Sequence, residues 1–386
     1  PSKAASRPPA MTTTPDTFPH LRAAFAQNFA EGLERGAALS LWHEGREVLS
    51  LCSGEARDGV PWGPETLVPV FSATKAASAS CLLLALYDCC QSPELEVGDL
   101  WPKFPAPHLT IAELLSHQSG LAALDVTAGI FDWDACRYAI EHSHPHWGPP
   151  EHGYHPHTIG PMIDVLMLEL TGQRLGAFWE QRVRAPLGLD FYIGLPVSER
   201  GRVAELRAPH LSRGSRLPSG PFYQAFFDPS TEVWAAFHSI IGLNGAREMN
   251  TPAAWESASP AKGGVASARG LAAFYQALLG HLPGSPYPPE VAEWMGECRS
   301  SGFDRILMRP TSFTCGCMCE PTELFGEGGF GHAGAGGCHA FCEPERGSSF
   351  AYVMNAMEMG ILPGPRVQRL IAALAEDRRC GASAGC

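Results

Sequence analysis

The sequence predicts an α+β fold, an α/β sandwich in which helices flank an antiparallel sheet built from both ends of the chain. Two strand-like segments, 38–42 and 47–52, lie near the beginning of the sequence, and two more, 337–342 and 348–355, lie near its end. Between them, over 76–260, helical and loop-like patterns dominate, and proline and glycine are frequent. This order predicts a terminal sheet with an inserted, mainly helical domain.

The terminal segments carry clear periodicities. Near the start of the chain an apolar residue recurs at every fourth position: Leu21, Phe25, Phe29 and Leu33. This spacing predicts an amphipathic helix over 19–34, which ends before Gly36. The next two strands are joined across 43–46, which is typical of a hairpin. At the other end, a turn over 343–347 joins two strands, and a closing helix is predicted over 367–377.

The central elements are predicted from shorter patterns. Residues 67–71 are extended and apolar, and 76–86 continues as a buried helix of small residues and leucines. Further helices are predicted over 111–116, 158–171 and 175–183. No internal repeat is visible, which argues against a repeat architecture.

These patterns also predict domain boundaries. The α/β domain is expected to comprise 19–75 and 262–378, and the inserted helical domain 76–261. Residues 1–18 are expected to form an N-terminal arm or to be a remnant of cloning, and 379–386 a tail.

One stretch of the insertion, 197–260, combines glycines and prolines with many aromatic residues. Six of these aromatic residues lie close together in the sequence: Phe222, Tyr223, Phe226, Phe227, Trp234 and Phe237. The stretch fits a lid or the wall of an acyl pocket, and it fits local core packing equally well.

The bulk composition excludes several classes of protein. With 386 residues, 45% of them hydrophobic and 18% charged, the chain is long enough for one large or two interleaved domains. The net charge of −12 and the lack of a basic run argue against nucleic acid and anionic membranes as partners. No apolar stretch approaches membrane-spanning length, and no signal-peptide pattern is visible. Thirteen cysteines in such a chain are expected to stay reduced, so the sequence predicts a cytoplasmic protein.

The tetrapeptide Ser72-Ala73-Thr74-Lys75 is the strongest sign of chemistry. A serine and a lysine three positions apart at the start of a helix lie on one face, about a turn apart. A serine hydroxyl is a weak nucleophile until a base removes its proton, and a lysine in a water-poor cleft can be that base. The tetrapeptide also fits a serine-capped helix start with a solvated lysine, so other segments must decide.

Three later segments accompany this motif in a fixed order. They are Leu114 to Leu121 (LLSHQSGL), Gly153 to Gly160 (GYHPHTIG) and Phe330 to Gly337 (FGHAGAGG). With S-x-x-K they resemble the serine β-lactamase and penicillin-recognising superfamily, and within it the class C β-lactamase-related esterases, the family VIII carboxylesterases. The resemblance covers about residues 20–375 and includes Gly263 to Leu271 (GGVASARGL). It implies a β-lactamase/DD-peptidase-like fold.

The resemblance also implies roles for individual residues. Ser72 matches the acylated nucleophile, Lys75 its base partner, and Tyr154 the tyrosine that relays a proton to the leaving group. A tyrosine beside a lysine cation is expected to ionise more readily. The segment 332–334 (HAG) stands where the β-lactamases have Lys-Thr-Gly, and in that register the backbone N–H groups of Ser72 and Ala335 form the oxyanion hole.

Two departures from the β-lactamase pattern bear on the substrate. The tyrosine motif of β-lactamases is Tyr-x-Asn, but Pro156 occupies its third position and has no side-chain amide for an acylamino group. His332 replaces the cationic lysine of the third motif and is mostly neutral near pH 7. Both changes point away from β-lactams and peptidoglycan peptides and towards uncharged esters. Five residues are expected to bind the substrate: His332, Gly334, Gln118, His155 and His157.

The sequence therefore predicts a serine hydrolase that cleaves carboxylic esters through an acyl-enzyme on Ser72, with no metal or organic cofactor. Its partner is expected to be a small-molecule ester. Hydrolysis of β-lactams or of D-amino-acid amides and peptides, acyl transfer to another acceptor, and a catalytically silent binding module on the same scaffold stay open. The sequence does not indicate the oligomeric state.

Three other patterns compete with this interpretation. Residues 381–385 match G-x-S-x-G, but no strand precedes them, so Ser383 is expected to be dispensable. Cys315, Cys317 and Cys319 alternate as on one face of a strand, and six histidines crowd one loop region, yet neither group has the paired spacing of a structural zinc site. The six histidines are His142, His144, His146, His152, His155 and His157. The segment 262–264 (KGG) comes too early to be the third motif, and no hairpin follows it.

Overall fold

The computed structural model describes residues 17–209 and 219–381. Its strands are β1 (Gly36–His43), β2 (Arg46–Arg57), β3 (Val60–Pro61), β4 (Val68–Pro69), β5 (Ala128–Gly129), β6 (Phe191–Ile193), β7 (Ile240–Ile241), β8 (Gly264–Ala266), β9 (Ser300–Asp304), β10 (Arg309–Phe313), β11 (Met318–Glu320), β12 (Phe330–Ala333), β13 (His339–Glu343) and β14 (Ser348–Met354).

The helices of the same residues are α1 (Pro19–Ala30), α2 (Thr74–Asp88), α3 (Val97–Leu100), α4 (Ile111–Leu115), α5 (Trp133–Glu141), α6 (Ile159–Thr171), α7 (Leu175–Trp179), α8 (Ala185–Leu187), α9 (Pro221–Phe226), α10 (Glu232–His238), α11 (Ala246–Met249), α12 (Pro252–Glu256), α13 (Ala268–Leu278), α14 (Pro289–Gly296), α15 (Thr322–Phe325) and α16 (Pro365–Arg379). Over 17–209 and 219–381, no helix has both the length and the apolar character that crossing a membrane requires.

Among the described residues, nine strands form one antiparallel sheet in the order β3-β2-β1-β14-β13-β12-β11-β10-β9. The strand β1 pairs with β14, the last in the chain, with Leu39 opposite Tyr352. The turn between β1 and β2 closes through Glu44 and Gly45, both at positive φ, as two-residue hairpin turns require. The predicted α+β architecture with a terminal antiparallel sheet is confirmed.

Helices cover both faces of this sheet. Along β14, successive side chains point to opposite faces. Ser348 accepts a hydrogen bond from Arg378 of α16 (3.1 Å), whereas the Ser349 hydroxyl donates to the carbonyl of Ala272 in α13 (2.8 Å). Therefore α16, with α1 packed against it, covers one face, and α13 covers the other.

Helix α2 is the buried centre of the helical part. Every residue from Thr74 to Leu86 is buried, and the helix packs against α6, α7 and α14. Small side chains allow this close packing, and the buried Ser78 hydroxyl is satisfied by the carbonyl of Pro260 (2.8 Å). Because α2 also contacts β12, its first turn lies where the helical part meets the sheet.

Some predicted elements differ in extent. The extended segment 67–71 forms only the short strand β4, because a 3₁₀ turn begins at Phe71. The helix predicted over 175–183 is α-helical to Trp179 and continues as a π-helix over Glu180–Arg184. In the aromatic-rich stretch, α9 and α10 carry five of the six aromatic residues, Phe227 directly follows α9, and 210–218 lie outside the described residues.

Candidate active site

Ser72 lies in a strained turn directly before α2. Phe71 has a φ of 48°, in the left-handed region that a bulky residue rarely adopts. Two hydrogen bonds hold the turn, since the Thr74 hydroxyl donates to the Phe71 carbonyl (2.5 Å) and accepts from the N–H of Gly264 (2.9 Å). A Cβ on Gly264 would lie 2.5 Å from the Thr74 oxygen, so this position needs glycine. Strain of this kind persists where the surrounding structure holds a reacting group in place.

Lys75 lies one turn further along and is only 1% exposed. Its Nζ donates to three acceptors: Ser72 Oγ (3.0 Å), the Pro156 carbonyl (2.9 Å) and the Ala261 carbonyl (2.9 Å). Burial, and after it the charge of Lys262, lower the pKa of Lys75 well below its usual range. In the neutral amine, the two carbonyls take the two remaining protons and the lone pair faces Ser72 Oγ. A general base requires this orientation.

Tyr154 is the third group at the serine. Its hydroxyl donates to Ser72 Oγ (2.9 Å), and the Nζ of Lys75 lies 5.2 Å from the centre of its ring. Burial raises the pKa of Tyr154, and the hydrogen bond to Ser72 opposes this only in part. The expectation that the neighbouring lysine eases ionisation is therefore wrong. The phenol stays protonated, so it is a proton donor in this site.

Asp304, which no sequence motif marks, holds the backbone at Tyr154. It is fully buried, and its Oδ1 accepts from the N–H groups of Tyr154 (3.1 Å), Ile306 (2.8 Å) and Leu307 (2.8 Å). Its Oδ2 accepts from the hydroxyl of Thr311 (3.1 Å). One carboxylate thus joins the loop that carries the tyrosine to β9 and β10.

Asp304→Ala is expected to lower both stability and ester turnover, because three backbone N–H groups lose their acceptor. Each buried donor left unpaired costs about 1–3 kcal/mol, and the support of Tyr154 loosens. Asp304→Asn keeps Oδ1 as an acceptor and is the matched control. Urea unfolding and steady-state kinetics measure both effects, and an Asp304→Ala protein as stable as the wild type would contradict the prediction.

His332 lies next to Tyr154 in β12. The centres of the two rings are 5.8 Å apart, and His332 Nδ1 donates to the carbonyl of Ala333 (2.7 Å). Burial first, and then the charge of Lys75, lower the pKa of His332 to about 3, so the ring is neutral at pH 7. Within the described residues its Nε2 has no hydrogen-bond partner. The side chain therefore brings no positive charge to the site.

The turn after β12 brings a backbone amide to the nucleophile. A Cβ on Gly334 would lie 2.2 Å from the Val70 carbonyl oxygen, so only glycine allows this approach. The amides of Gly334 and Gly336 each bond a carbonyl, which leaves the Ala335 amide, among the described residues, open to a substrate oxygen. Ala335 and Ser72 line the same cavity, as the two donors of an oxyanion hole do.

The cavity beside Ser72 has a volume of about 140 Å³ and a largely apolar wall. Phe226 of α9 and Phe237 of α10 line it, so these two aromatic residues form part of a pocket wall. Phe222 is not part of the lining and packs edge-on against Phe237, with 6.1 Å between ring centres. The stretch therefore contributes two aromatic residues to the cavity wall and a third that packs against one of them.

A second buried lysine, Lys262, lines this cavity. Its Nζ lies 3.0 Å from His157 Nε2 and donates to the Gly242 carbonyl (2.7 Å) and to Asn244 Oδ1 (3.0 Å). His157 Nδ1 faces the Ile240 carbonyl (3.1 Å), so Nδ1 carries the proton and Nε2 accepts from the lysine. Burial, and after it the charge of Lys262, lower the pKa of His157 and keep it neutral. The sequence pointed to His157, which does line the cavity, but it set Lys262 aside.

Of the five residues expected to bind substrate, only His157 lines the cavity, and His332, Gly334, Gln118 and His155 do not. The Gln118 amide is buried and donates to the hydroxyl of Ser116 (2.8 Å). The His155 ring is buried as well, and both its nitrogens bond within the protein, one of them to Ser119 Oγ (2.7 Å). The Gln118 NH₂ group and both His155 nitrogens bond inside the fold, and these side chains support the loops beside Tyr154.

Among the described residues, the competing cysteine and histidine patterns form no metal site. Residues 315–317 form the turn between β10 and β11, closed by the N–H of Thr314 on the Cys317 carbonyl (2.9 Å), so they do not share a strand face. In 17–209 and 219–381, no three histidine, cysteine, aspartate or glutamate side chains are grouped so as to hold a metal ion. Ser383 lies outside the described residues.

Comparisons with known proteins identify the family of the chain. Residues 25–373 match the family model described as beta-lactamase. The chain is similar to the esterase/beta-lactamase LipL of Mycobacterium tuberculosis, with 28% identity over 361 residues that cover 86% of this chain and 80% of the relative.

Two solved structures are similar over almost the whole chain. One is a penicillin-binding protein homolog from Caulobacter crescentus, with 32% identity and a TM-score of 0.80, over 96% of this chain and 100% of that chain. The other is a family VIII carboxylesterase, with 28% identity and a TM-score of 0.84, over 96% of this chain and 100% of that chain.

Proposed function

The chain belongs to the beta-lactamase family and is a serine hydrolase, and we propose that it cleaves small carboxylic esters through an acyl-enzyme on Ser72. The observation that carries the proposal is the hydrogen-bonded set at this serine. Its hydroxyl oxygen lies 3.0 Å from the amine of Lys75 and 2.9 Å from the phenol of Tyr154. A nucleophile held between a base and an acid is what ester cleavage requires.

In the first step of the proposed reaction, neutral Lys75 takes the proton of Ser72 while Oγ attacks the ester carbonyl. The oxygen of the tetrahedral intermediate is held by the backbone N–H groups of Ser72 and Ala335. Tyr154 gives its proton to the departing alkoxide as the bond between carbon and oxygen breaks, and it regains a proton from Lys75. The alcohol leaves, and the acyl group stays on Ser72.

In the second step, water takes the place of the alcohol. The same base and acid act in the reverse direction, so water loses a proton as it attacks the acyl carbon and Ser72 Oγ regains one as it leaves. The carboxylic acid is released, and the site returns to its starting protonation. No step needs a metal or an organic cofactor.

Two features favour esters as substrates over β-lactams. Pro156 has no side-chain amide, and the cavity of about 140 Å³ is well below the ~300–1,000 Å³ of sites for drug-sized ligands. β-Lactam hydrolysis is the second candidate, because one similar protein is named an esterase/beta-lactamase and another is a penicillin-binding protein homolog.

Intact-mass measurement with a panel of substrates tests the proposal. We expect p-nitrophenyl acetate and butyrate to leave one acyl group on Ser72, and kcat/KM for both to exceed that for the octanoate by about tenfold or more, because the long chain exceeds the cavity. The matched variant Ser72→Ala should take up no acyl group.

The same panel separates the alternatives. Nitrocefin turnover comparable to ester turnover would favour β-lactam hydrolysis. Product made mainly with an added alcohol or amine, in competition with water, would favour acyl transfer. A wild-type protein that neither turns over any ester nor labels with a fluorophosphonate probe would support the silent binding module and contradict the proposal.

A further inference from the structure

Lys262 is a buried amine that has no carboxylate partner among the described residues. It is 3% exposed, and its three hydrogen-bond partners in the described residues, an imidazole, a carbonyl and an amide oxygen, are all neutral. Burial lowers the pKa of Lys262 and the negative charge of Glu248 raises it in part, but the two side chains form no ion pair. The Glu248 carboxylate accepts a hydrogen bond from the backbone N–H of Asn244 instead (2.9 Å). A buried charge is normally paired, because leaving water without a counter-charge is unfavourable.

The cavity that Lys262 faces has no acidic lining. Among the described residues that line it there is no aspartate or glutamate. This contrasts with the chain as a whole, whose net charge is −12. Two of the three lysines in the described residues are buried at this one cleft, and Lys103 is the exposed third.

Lys262 is also tied to the catalytic lysine. Pro156 and Ala261 each give a carbonyl to Lys75, and the next residues along the chain, His157 and Lys262, face the cavity. The dipeptides 156–157 and 261–262 therefore fix the position of the Lys262 amine relative to that of Lys75. Lys262 thus brings an amine to the cleft from outside the third motif, whose His332 is neutral.

We propose that the corner formed by Lys262, His157 and Asn244 binds a carboxylate of the substrate, so that the preferred substrates are short esters that also carry a carboxylate. The inference rests on the proposed ester hydrolysis at Ser72. A carboxylate supplies the counter-charge that the ammonium lacks, and charge-assisted hydrogen bonds of this kind are the strong ones. This proposal differs from the sequence-based expectation of uncharged esters.

Asn244 is the partner that gives way to the ligand. It is exposed at the rim of the cavity, whereas His157 is buried and the Gly242 acceptor is a backbone carbonyl. When a carboxylate oxygen replaces Asn244 Oδ1 on the Lys262 Nζ, the Asn244 amide turns its N–H donors towards the same carboxylate. Burial lowers the pKa of Lys262 to about 7, and a bound anion stabilises its charged form.

Two matched pairs of substrates test the inference. Monoethyl succinate and ethyl levulinate differ only by a carboxylate oxygen in place of a methyl group on the acyl side, and both release ethanol. Acetoxyacetate and acetoxyacetone differ in the same way on the alcohol side, and both release acetate. We expect the wild type to prefer the carboxylate member of at least one pair by about tenfold or more in kcat/KM.

Lys262→Gln should lose this preference, because glutamine keeps a hydrogen-bond donor but carries no charge. The ratio within a pair cancels any effect of the substitution on Lys75. Lys103→Gln, at the exposed lysine, is the matched control and should keep the wild-type ratio. Equal kcat/KM within both pairs, or a preference that survives in Lys262→Gln, overturns the inference. A wild type that hydrolyses none of the four esters overturns the proposed function instead.

Binding to Ser72→Ala gives a readout that does not depend on turnover. Calorimetric titration should show monoethyl succinate or acetoxyacetate binding about tenfold or more tightly than its neutral partner. The difference should vanish when Lys262→Gln is added. If that double variant does not fold, the comparison of charged and neutral ligands on Ser72→Ala decides alone, and equal affinities overturn the inference.

Discussion

Replacing Ser72 with alanine is expected to lower kcat/KM for p-nitrophenyl acetate by roughly 10⁴-fold or more. The base and the acid both remain, but the oxygen that they act on is gone, so no acyl-enzyme forms. A residual rate from the oxyanion hole and from binding alone is all that the site retains. Steady-state kinetics measures the loss of turnover, and intact mass measures the loss of the acyl-enzyme. Both losses should occur together.

The variant should stay folded, because Lys75 keeps two of its three acceptors, the carbonyls of Pro156 and Ala261. Ser78→Ala is the matched control on the same helix, since the buried Ser78 hydroxyl donates to the Pro260 carbonyl and does not line the cavity. It should lose about 1 kcal/mol of stability and keep its activity. Ser383→Ala should leave activity and stability unchanged. If Ser383→Ala lost activity while Ser72→Ala kept it, the nucleophile would be Ser383 of the G-x-S-x-G motif instead.

Much of the fold could be predicted because its signals are local. The hairpin between β1 and β2 depends on Glu44 and Gly45, which adopt positive φ in the structure. The helix at 19–34 was predicted from apolar periodicity, and both it and the closing helix predicted over 367–377 are present with shifted ends. The π-helix after Trp179 could not be predicted, because its sequence continues a helical pattern.

The candidate site likewise contains residues that the sequence could predict and residues that it could not. Ser72, Lys75 and Tyr154 belong to motifs that follow one another in a fixed order along the chain, so the sequence alone predicted that they share one site. In the structure, Lys75 and Tyr154 both lie within hydrogen-bond distance of Ser72. Asp304 and Lys262 act through tertiary contacts with residues far away in the chain, and neither belongs to a motif. Burial also reversed the expected direction of the Tyr154 pKa, and burial of a single side chain is a property of the whole fold.

Lys75→Met is expected to lower kcat by about 10²–10⁴-fold, because methionine fills a similar volume but cannot accept a proton. In the wild type, kcat/KM should rise with pH through the lowered pKa of Lys75, since the neutral amine is the base, and then level off. Lys262→Gln should move this rise to higher pH, because removing the neighbouring positive charge raises the Lys75 pKa. The residual activity of Lys75→Met should lack the rise altogether.

The same burial makes stability depend on pH. The folded pKa of Lys75 lies below the ~10.4 of an unfolded lysine, so between these values the unfolded chain binds more protons and the free energy of unfolding rises with pH. Lys75→Met lacks this contribution. Urea unfolding at several pH values should therefore show the wild type gaining stability relative to Lys75→Met up to about pH 10.4, whereas Lys103→Met, at the exposed lysine, should follow the wild type. A constant difference between wild type and Lys75→Met would mean that Lys75 is charged in the folded protein throughout, and its role as the general base would be excluded.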